Sequence, residues 1–535
     1  MERVQLNPLI PGFAPDPSLV FVDGTYFLVN SSFHIFPGLP IYASKNLQDW
    51  KQIGNAINRP SQLKLWESRT KIVGDPDSIV CSQGGLYAPT IRYNNGTFYI
   101  VCTNVIHTSA QHENQNDKQN FILSTTDIWS DKWSDPVFYD FWAIDTSLFW
   151  DDDGKVYVAG AADEAPDSCI RQFQIDLETG KKLSESKVLW NGITRVYPEG
   201  PHMYKKDGWY YLLIAEGGCF EDHHVIMARS RNIWGPYEVN PANPVLPKTV
   251  PNADYIQYTG HGDLFQDHAG QWYFVCLGVR KKDGRFIMGR ESVLTTAIWP
   301  EGEFPLIKKA RLDVPLALDR PKGRVVCPTL KSPVTNGNAT SHRPDVGLVH
   351  IRDPELEKYT FDGDGIELSA STADIDQFDK PVTFVGRRQR SLDGSASTTL
   401  ELSAEASVGS QLKTGLCYYK DEHRFVRVFV DLVSDEIVNQ LVNKAKSTEK
   451  TTARKVGALG DATHITFGMD YTEMSLSFWF SLTTVGGLKE KDQLAEIDTM
   501  EMTGHDFVGP IIGIFAVGRE EAKARYPTGM LMERF

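Results

Sequence analysis

Cysteine is scarce and scattered in this chain: seven among 535 residues, with no C-x-x-C pair and no zinc-ligand spacing. That excludes a disulfide scaffold and a zinc module, and reads most of the thiols as small buried apolar side chains within strands. No apolar run approaches the roughly eighteen residues of a membrane span. Basic excess is absent too. A net charge of −14 disfavours nucleic acid, anionic membranes and anionic polymers as partners, so a neutral ligand fits better. The start, MERVQLNPLIPGF, lacks the basic segment, apolar stretch and small-residue cleavage site of a secretory leader. An intracellular protein and a mature secreted form both remain open. The motifs of other hydrolytic and phosphoryl chemistry are missing as well: there is no G-x-S-x-G elbow, no H-E-x-x-H and no phosphate-cradling glycine loop, and His223-His224 has no ligand set at useful spacing.

What is present is a repeat. A turn closing on glycine, followed by an aromatic-rich run, recurs at Gly24 (GTYFL), Gly96 (GTFYI), Gly154 (GKVYV), Gly208 (GWYYL) and Gly270 (GQWYF), at intervals of 72, 58, 54 and 62 residues. These intervals exceed a helical solenoid repeat and suit one four-stranded sheet plus loops, hence five blades of a β-propeller. Asp23, Asn95, Asp153 and Asp207 precede four of the glycines and supply the positive φ that tight hairpins need. A third strand follows in IYAS from Ile41, ILSTT from Ile122, IMARS from Ile226 and IMGRES from Ile287. Trp50, Trp129, Trp133, Trp234 and Trp299 recur with the repeat and read as packing between blades. The Asp151-Asp152-Asp153 run falls at a turn and reads as solvated rather than metal-binding.

At 535 residues the chain exceeds one core, and the repeat stops near residue 315. The sequence predicts a propeller over 1–315, an irregular linker over 316–345 and a second all-β domain over 346–535. In that domain TTLELSAEA from Thr398 and RFVRVFVDL from Arg424 alternate apolar and polar residues, as half-buried strands of a β-sandwich do. SDEIVNQLVNKAKSTEK from Ser434 reads equally as a short helix or a long hairpin loop.

The first strand of each blade lines the central channel, so residues at its start share one mouth. Counting back eight or nine positions from the glycines gives Asp16, Tyr87, Asp145, Glu199 and His261. Any one of the acids alone reads as an ordinary structural carboxylate. Three acids and a histidine at repeat-equivalent places shift one another's pKa, and glycoside hydrolysis uses such a set: it needs one carboxyl kept protonated for the leaving oxygen and one ionised to activate water or attack carbon, and a third can hold the donor's proton by raising its pKa.

These residues carry a resemblance. The pieces NPLIPGFAPDPS at Asn7, SSFHIFPGLPIYASKNLQDW at Ser31, NRPSQL at Asn58, LYAPTIRY at Leu86, DTSLFWDDDG at Asp145, EGPHMYK at Glu199, GHGDLF at Gly260 and GRES at Gly289 resemble glycoside hydrolase family 43, in particular its two-domain β-xylosidases and α-L-arabinofuranosidases. PVTFVGRRQ at Pro381 and FVGPIIGIFA at Phe507 match the family's concanavalin-like sandwich. The resemblance implies an inverting mechanism with Asp16 as general base, Glu199 as general acid, and Asp145 staying ionised to raise the acid's pKa and orient it. It also implies that Arg290 orients at the substrate end, His261 bonds near the sugar-binding carboxylates, Phe33 and Tyr87 wall the pocket, and Phe507 reaches across from the sandwich to close it. No cofactor is required, although a structural calcium ion beside His261 is open. Two positions depart from the pattern: the wall is Tyr87 where tryptophan is common, and Pro198 replaces a threonine before the acid. The implied substrate is a neutral pentose-containing glycan, with β-1,4-xylose or α-L-arabinofuranose released from a chain end or branch. The alternatives are a non-catalytic carbohydrate-binding propeller and an α-L-arabinofuranosidase strictly specific for xylan side chains.

Overall fold

Each of the five glycine-closed turns joins the first two strands of a sheet in the computed structural model of the protein. It describes residues 2–75, 78–107, 117–130, 132–162, 168–251, 253–316, 345–363, 365–403, 410–456, 459–488, 490–528 and 530–534; the expected linker lies almost wholly outside them. The sheets begin with Ser18–Val22, Thr90–Asn94, Ala143–Trp150, Glu199–Lys206 and Ile256–Gln266, and each continues through at least three further antiparallel strands. Every one of these first strands touches the first strands of both neighbouring sheets, so five blades close into a ring. Glu2–Gln5 pairs with Asp313–Leu316, tying the two ends of this unit together.

Local chemistry explains the turns. Asp23-Gly24, Asn95-Gly96 and Asp207-Gly208 hold positive φ at both residues, the signature of the two-residue hairpin whose twist matches its strands. At Gly154 and Gly270 only the glycine does so, and the loops are longer, closed by Asp151 N–H to Lys155 and Asp267 N–H to Gln271. The recurrent tryptophans lie between blades: Trp129 meets Phe27 of the preceding blade, Trp234 meets Tyr157, and Trp299 meets Tyr204 and Tyr211. Asp151 and Asp152 take the Lys205 ammonium at 2.5 and 2.7 Å, within a turn.

One third strand departs from expectation. In the fifth blade it is Glu291–Ile298, not IMGRES. Residues 287–290 leave the sheet because Gly289, at φ +69, packs its backbone against Val508 and Gly509 of the second domain. Arg290 is thereby carried to the domain junction.

The second domain is a sandwich of two antiparallel sheets. One runs through Gly394–Glu401, Ala462–Tyr471 and Ser475–Thr484; the other through Phe384–Arg388, Ile511–Gly518, Leu412–Asp421, Arg424–Asp431, Glu436–Asn443 and Thr448–Lys455. Gly394–Glu401 alternates buried and half-buried as expected. Arg424–Asp431 does not: it is buried almost throughout. Val426, Val428 and Val430 point into the sandwich core, while Phe425 and Phe429 face a second cluster containing Phe13, Phe33 and Ile35 of the propeller. A strand between two cores needs apolar residues on both faces. The segment from Ser434 is neither helix nor long loop but two strands joined by a 3-10 turn at Lys444–Lys446, where the Asn443 side chain accepts from the Lys446 N–H.

A third, smaller sheet ties the domains together. Thr70–Val73 and Val80–Gln83, a hairpin of the propeller, pair with His505–Asp506 of the sandwich. Beside it lies a buried knot of charge. Asp506 Oδ2 accepts from Lys420 Nζ and Arg424 Nη1, both at 2.5 Å; Asp421 Oδ2 accepts from Arg424 and, at 2.9 Å, from Gln83 Nε2; Glu422 pairs with Arg352 at 2.7 Å. Removing one member of such a buried pair typically costs about 3–5 kcal/mol, so the junction is stiff.

Candidate active site

The acids reach the mouth because the inner strands are bent there. Asp16, Asp145 and His261 adopt left-handed backbone, at φ 50, 54 and 42°, and after Glu199 it is Gly200 that does so, at 58°. Register shifts mark the same places, between Ile144 and Ser147, Glu199 and His202, and Gln257 and Gly262. A bulge re-aims a side chain out of the alternation of its strand, and non-glycine residues hold positive φ at a cost that their surroundings must offset. Pro15 and Pro17, which flank Asp16, pre-set the chain there.

Asp145, Glu199 and His261 present atoms that all lie within 4.8 Å of one another. Asp145 Oδ2 accepts from the Gly200 N–H at 3.2 Å and lies 3.5 Å from His261 Nδ1. Gly200 is glycine for a second reason: a Cβ would press on the His261 ring at 3.0 Å. Asp16 stands outside this trio, with Oδ2 accepting from Ser31 Oγ at 2.6 Å and Oδ1 3.9 Å from Arg290 Nη1.

The aromatic residues gather on the Arg290 side. The Arg290 guanidinium lies 4.4 Å over the Phe507 ring and 5.5 Å from Phe220. Phe507 contacts Phe33 at 5.8 Å and Tyr87 at 6.1 Å between ring centroids. Tyr87 is half-buried and donates its hydroxyl to the Gln83 carbonyl at 2.7 Å. Phe33, only 1% exposed, packs against both the Tyr87 and the Phe507 rings. The Phe507 N–H donates to Gln83 Oε1 at 3.0 Å, and Gln83 is held by Asp421. The stiff junction therefore sets the position of Phe507.

The electrostatics differ from the expected order. Burial, with the charges of Glu199 and Asp16 added, pushes Asp145 up to about 7 against the opposing pull of His261. Burial also pushes Glu199 up, but the His223 hydrogen bond and the positive charges of His223, His261 and Arg290 outweigh it and hold the carboxyl below its ordinary value. In His261 the cost of burying a cation is exceeded by Asp145, Asp16 and Glu199, which raise it. Burial thus raises Asp145, while two imidazoles and a guanidinium nearby lower Glu199. A stability consequence follows from linkage: a carboxyl whose folded pKa exceeds its unfolded value favours the folded state below the unfolded value and loses that contribution as pH rises to about 7. Asp145→Asn removes this dependence. Thermal melts should show it gaining stability relative to the wild type at pH 8 compared with pH 5.

Four groups here escaped the sequence. His223 Nε2 lies 3.4 Å from Glu199 Oε1. The Cys219 thiol engages Arg290, and Phe220 stacks on His505 at 4.1 Å. Gln83, beneath Phe507, belongs to the hairpin that meets the sandwich. His223-His224 invites a search for metal spacing; the better signal is glycine at 260, where a Cβ would overlap the His223 ring.

Comparison with known proteins agrees with this architecture. Residues 5–305 match the model of glycosyl hydrolases family 43, and residues 340–527 match the beta xylosidase C-terminal concanavalin A-like domain. A non-reducing end alpha-L-arabinofuranosidase of Bacteroides ovatus is 30% identical over 97% of this chain and 93% of its own. A xylosidase/arabinosidase of Butyrivibrio fibrisolvens is 37% identical over 59% of each chain. Among solved structures, a family 43 protein of Bacillus licheniformis superposes with a TM-score of 0.82 at 26% identity, covering 99% of both chains. The chain is a glycosidase and belongs to glycosyl hydrolase family 43.

Proposed function

We propose that the protein is an exo-acting, inverting glycosidase that releases single pentoses, β-1,4-linked xylose or α-L-arabinofuranose or both, from xylan-derived oligosaccharides and arabinoxylan. The observation that carries this reading is the gathering of three acids at one mouth: the Asp145–Glu199–His261 trio, Asp16 beside Arg290, and Phe507 reaching across the junction over the same guanidinium. An inverting pair needs space between base and acid for the attacking water.

In this scheme Asp16, held by Ser31, takes a proton from water as the water oxygen attacks the anomeric carbon. Glu199 gives its proton to the departing glycosidic oxygen as the carbon–oxygen bond breaks. Asp145 and His261, in contact with each other, orient the sugar and the acid. Arg290 Nη2 is buried and has no hydrogen-bond partner among the described residues, which leaves a donor for a sugar hydroxyl. Tyr87, Phe220 and Phe507 supply apolar contact. Phe507 limits how far a chain can extend past the site, which favours removal of one residue at a time.

Asp145, Glu199 and His261 could hold a metal ion between them, and calcium there would need water or backbone oxygens to complete its six to eight ligands. The next acid along the strand, Asp263, is already neutralised by Arg92 at 2.6 Å and accepts from Ser18 and Tyr204, both at 2.7 Å. No step of the scheme uses a metal.

Side-by-side release of sugar from the nitrophenyl β-xyloside, the nitrophenyl α-arabinofuranoside and arabinoxylan oligosaccharides tests the substrate class. Turnover of at least one pentoside with a single sugar as the only small product supports the reading; no turnover, or longer products from an internal cut, overturns it. A strict α-L-arabinofuranosidase is the second reading, favoured by the full-length similarity to the Bacteroides ovatus protein of that name, and it is chosen if the xyloside is untouched. Phe507→Ala should raise KM or admit longer chains while both limbs of the pH profile stay in place, because a ring contributes shape and no proton.

A further inference from the structure

His223 is the buried group in contact with the reacting carboxyls for which the scheme above has no use. It is completely buried. Its Nδ1 lies 3.1 Å from the Tyr258 carbonyl oxygen. A carbonyl only accepts, so Nδ1 carries the hydrogen and the other nitrogen is left to face Glu199. That nitrogen, Nε2, is buried without a hydrogen-bond partner among the described residues and lies 3.4 Å from Glu199 Oε1. The ring cannot drift away, since it lies against the Cα of Gly260, where any side chain would overlap it.

We propose that His223 is the positioning residue of the acid, sharing one proton with Glu199 across the Nε2–Oε1 contact. The inference rests on the reading of Glu199 as the general acid. With Nδ1 fixed as a donor, Nε2 is a bare acceptor when the proton is on Glu199 and a donor when it is not. A small closing of the 3.4 Å gap makes the contact a hydrogen bond in either state. When Glu199 gives its proton to the leaving oxygen, the carboxylate that remains faces Nε2, and the pair regains one proton from solvent before the next turnover; no other co-reactant is needed.

A proton with two places to sit is held at least as tightly as with one. The pair therefore keeps its proton to higher pH than Glu199 alone, against the pull of His261 and Arg290, which also face the carboxyl and oppose its protonation. Asp145 acts in the opposite direction, and Asp16, Tyr87 and the Cys219 thiol also face this part of the site. The arrangement accounts for how an acid so close to positive charge can still be protonated when substrate arrives.

The test is the alkaline limb of kcat/KM in His223→Gln, which retains polar reach but cannot share a proton. On an oligosaccharide the limb should move to lower pH by about one unit, a roughly tenfold loss on the alkaline side, with a much smaller change on the acid side. On the nitrophenyl glycoside, whose leaving group needs little protonation, the shift should shrink or vanish. Gly260→Ala, which displaces the ring and leaves its chemistry intact, should move the limb in the same direction, and decides the matter if His223→Gln does not fold. A loss uniform across pH, or an equal shift on both substrates, overturns the proposal and leaves His223 a packing residue. Glu199→Gln measured in parallel separates the two claims. If it abolishes oligosaccharide hydrolysis while the His223→Gln limb stays put, only the His223 inference fails; if it remains active, the acid assignment fails.

Discussion

Glu199→Gln is expected to lose roughly 100- to 10,000-fold in kcat on xylo- or arabino-oligosaccharides, the range over which a general acid contributes, with its melting temperature little changed. Glutamine keeps the size and the contact with His223 but has no proton to give. The loss should depend on the leaving group. A nitrophenolate departs without protonation, so the aryl glycoside should suffer far less than the oligosaccharide. Equal damage on both substrates would remove Glu199 from the acid role. His261, 3.5 Å from Asp145, would be the next group to try.

Asp16→Asn is expected to lose activity over the same range of roughly 100- to 10,000-fold, but on both substrates alike. Every substrate needs the attacking water, whatever its leaving group. Asparagine can still bond to Ser31, which holds the carboxyl at 2.6 Å, so the loop between the two prolines should keep its shape. Steady-state kinetics on paired substrates would contradict the assignment if Asp16→Asn spared the aryl glycoside as Glu199→Gln should. The contrast between the two variants is more diagnostic than either loss, because general damage to the site would lower all four rates together.

The propeller and its acids were legible because a repeat converts sequence spacing into spatial equivalence. Five glycine turns placed Asp16, Asp145, Glu199 and His261 at one mouth, and the bulges that aim the last three lie at those same positions. Residues fixed by contact between distant segments could not be seen this way. IMGRES has the composition of a strand, but its first four residues leave the sheet because Gly289 meets the backbone at Val508, more than two hundred residues on. RFVRVFVDL reads as a one-sided strand until the propeller covers its second face with Phe13 and Phe33.

Charge order was the least legible property. Three carboxylates at one mouth are symmetrical on paper, and which of them holds a proton depends on unequal distances to His223, His261 and Arg290. His223 itself was hidden because its meaning lies in two contacts, with Tyr258 and Glu199, that no local motif encodes. Burial raises Asp145 to about 7 while His223, His261 and Arg290 hold Glu199 low, an order that no spacing in the sequence encodes.

The stereochemistry of the first product tests the central claim most directly. Proton NMR recorded as the reaction begins, before the free sugar mutarotates, reports the anomer released. The account predicts inversion, with α-xylose appearing first from a β-xyloside, because water activated by Asp16 attacks opposite the bond that Glu199 protonates. Release of β-xylose as the first-formed sugar would mean a covalent intermediate and a retaining pair, and would contradict the roles assigned to both acids.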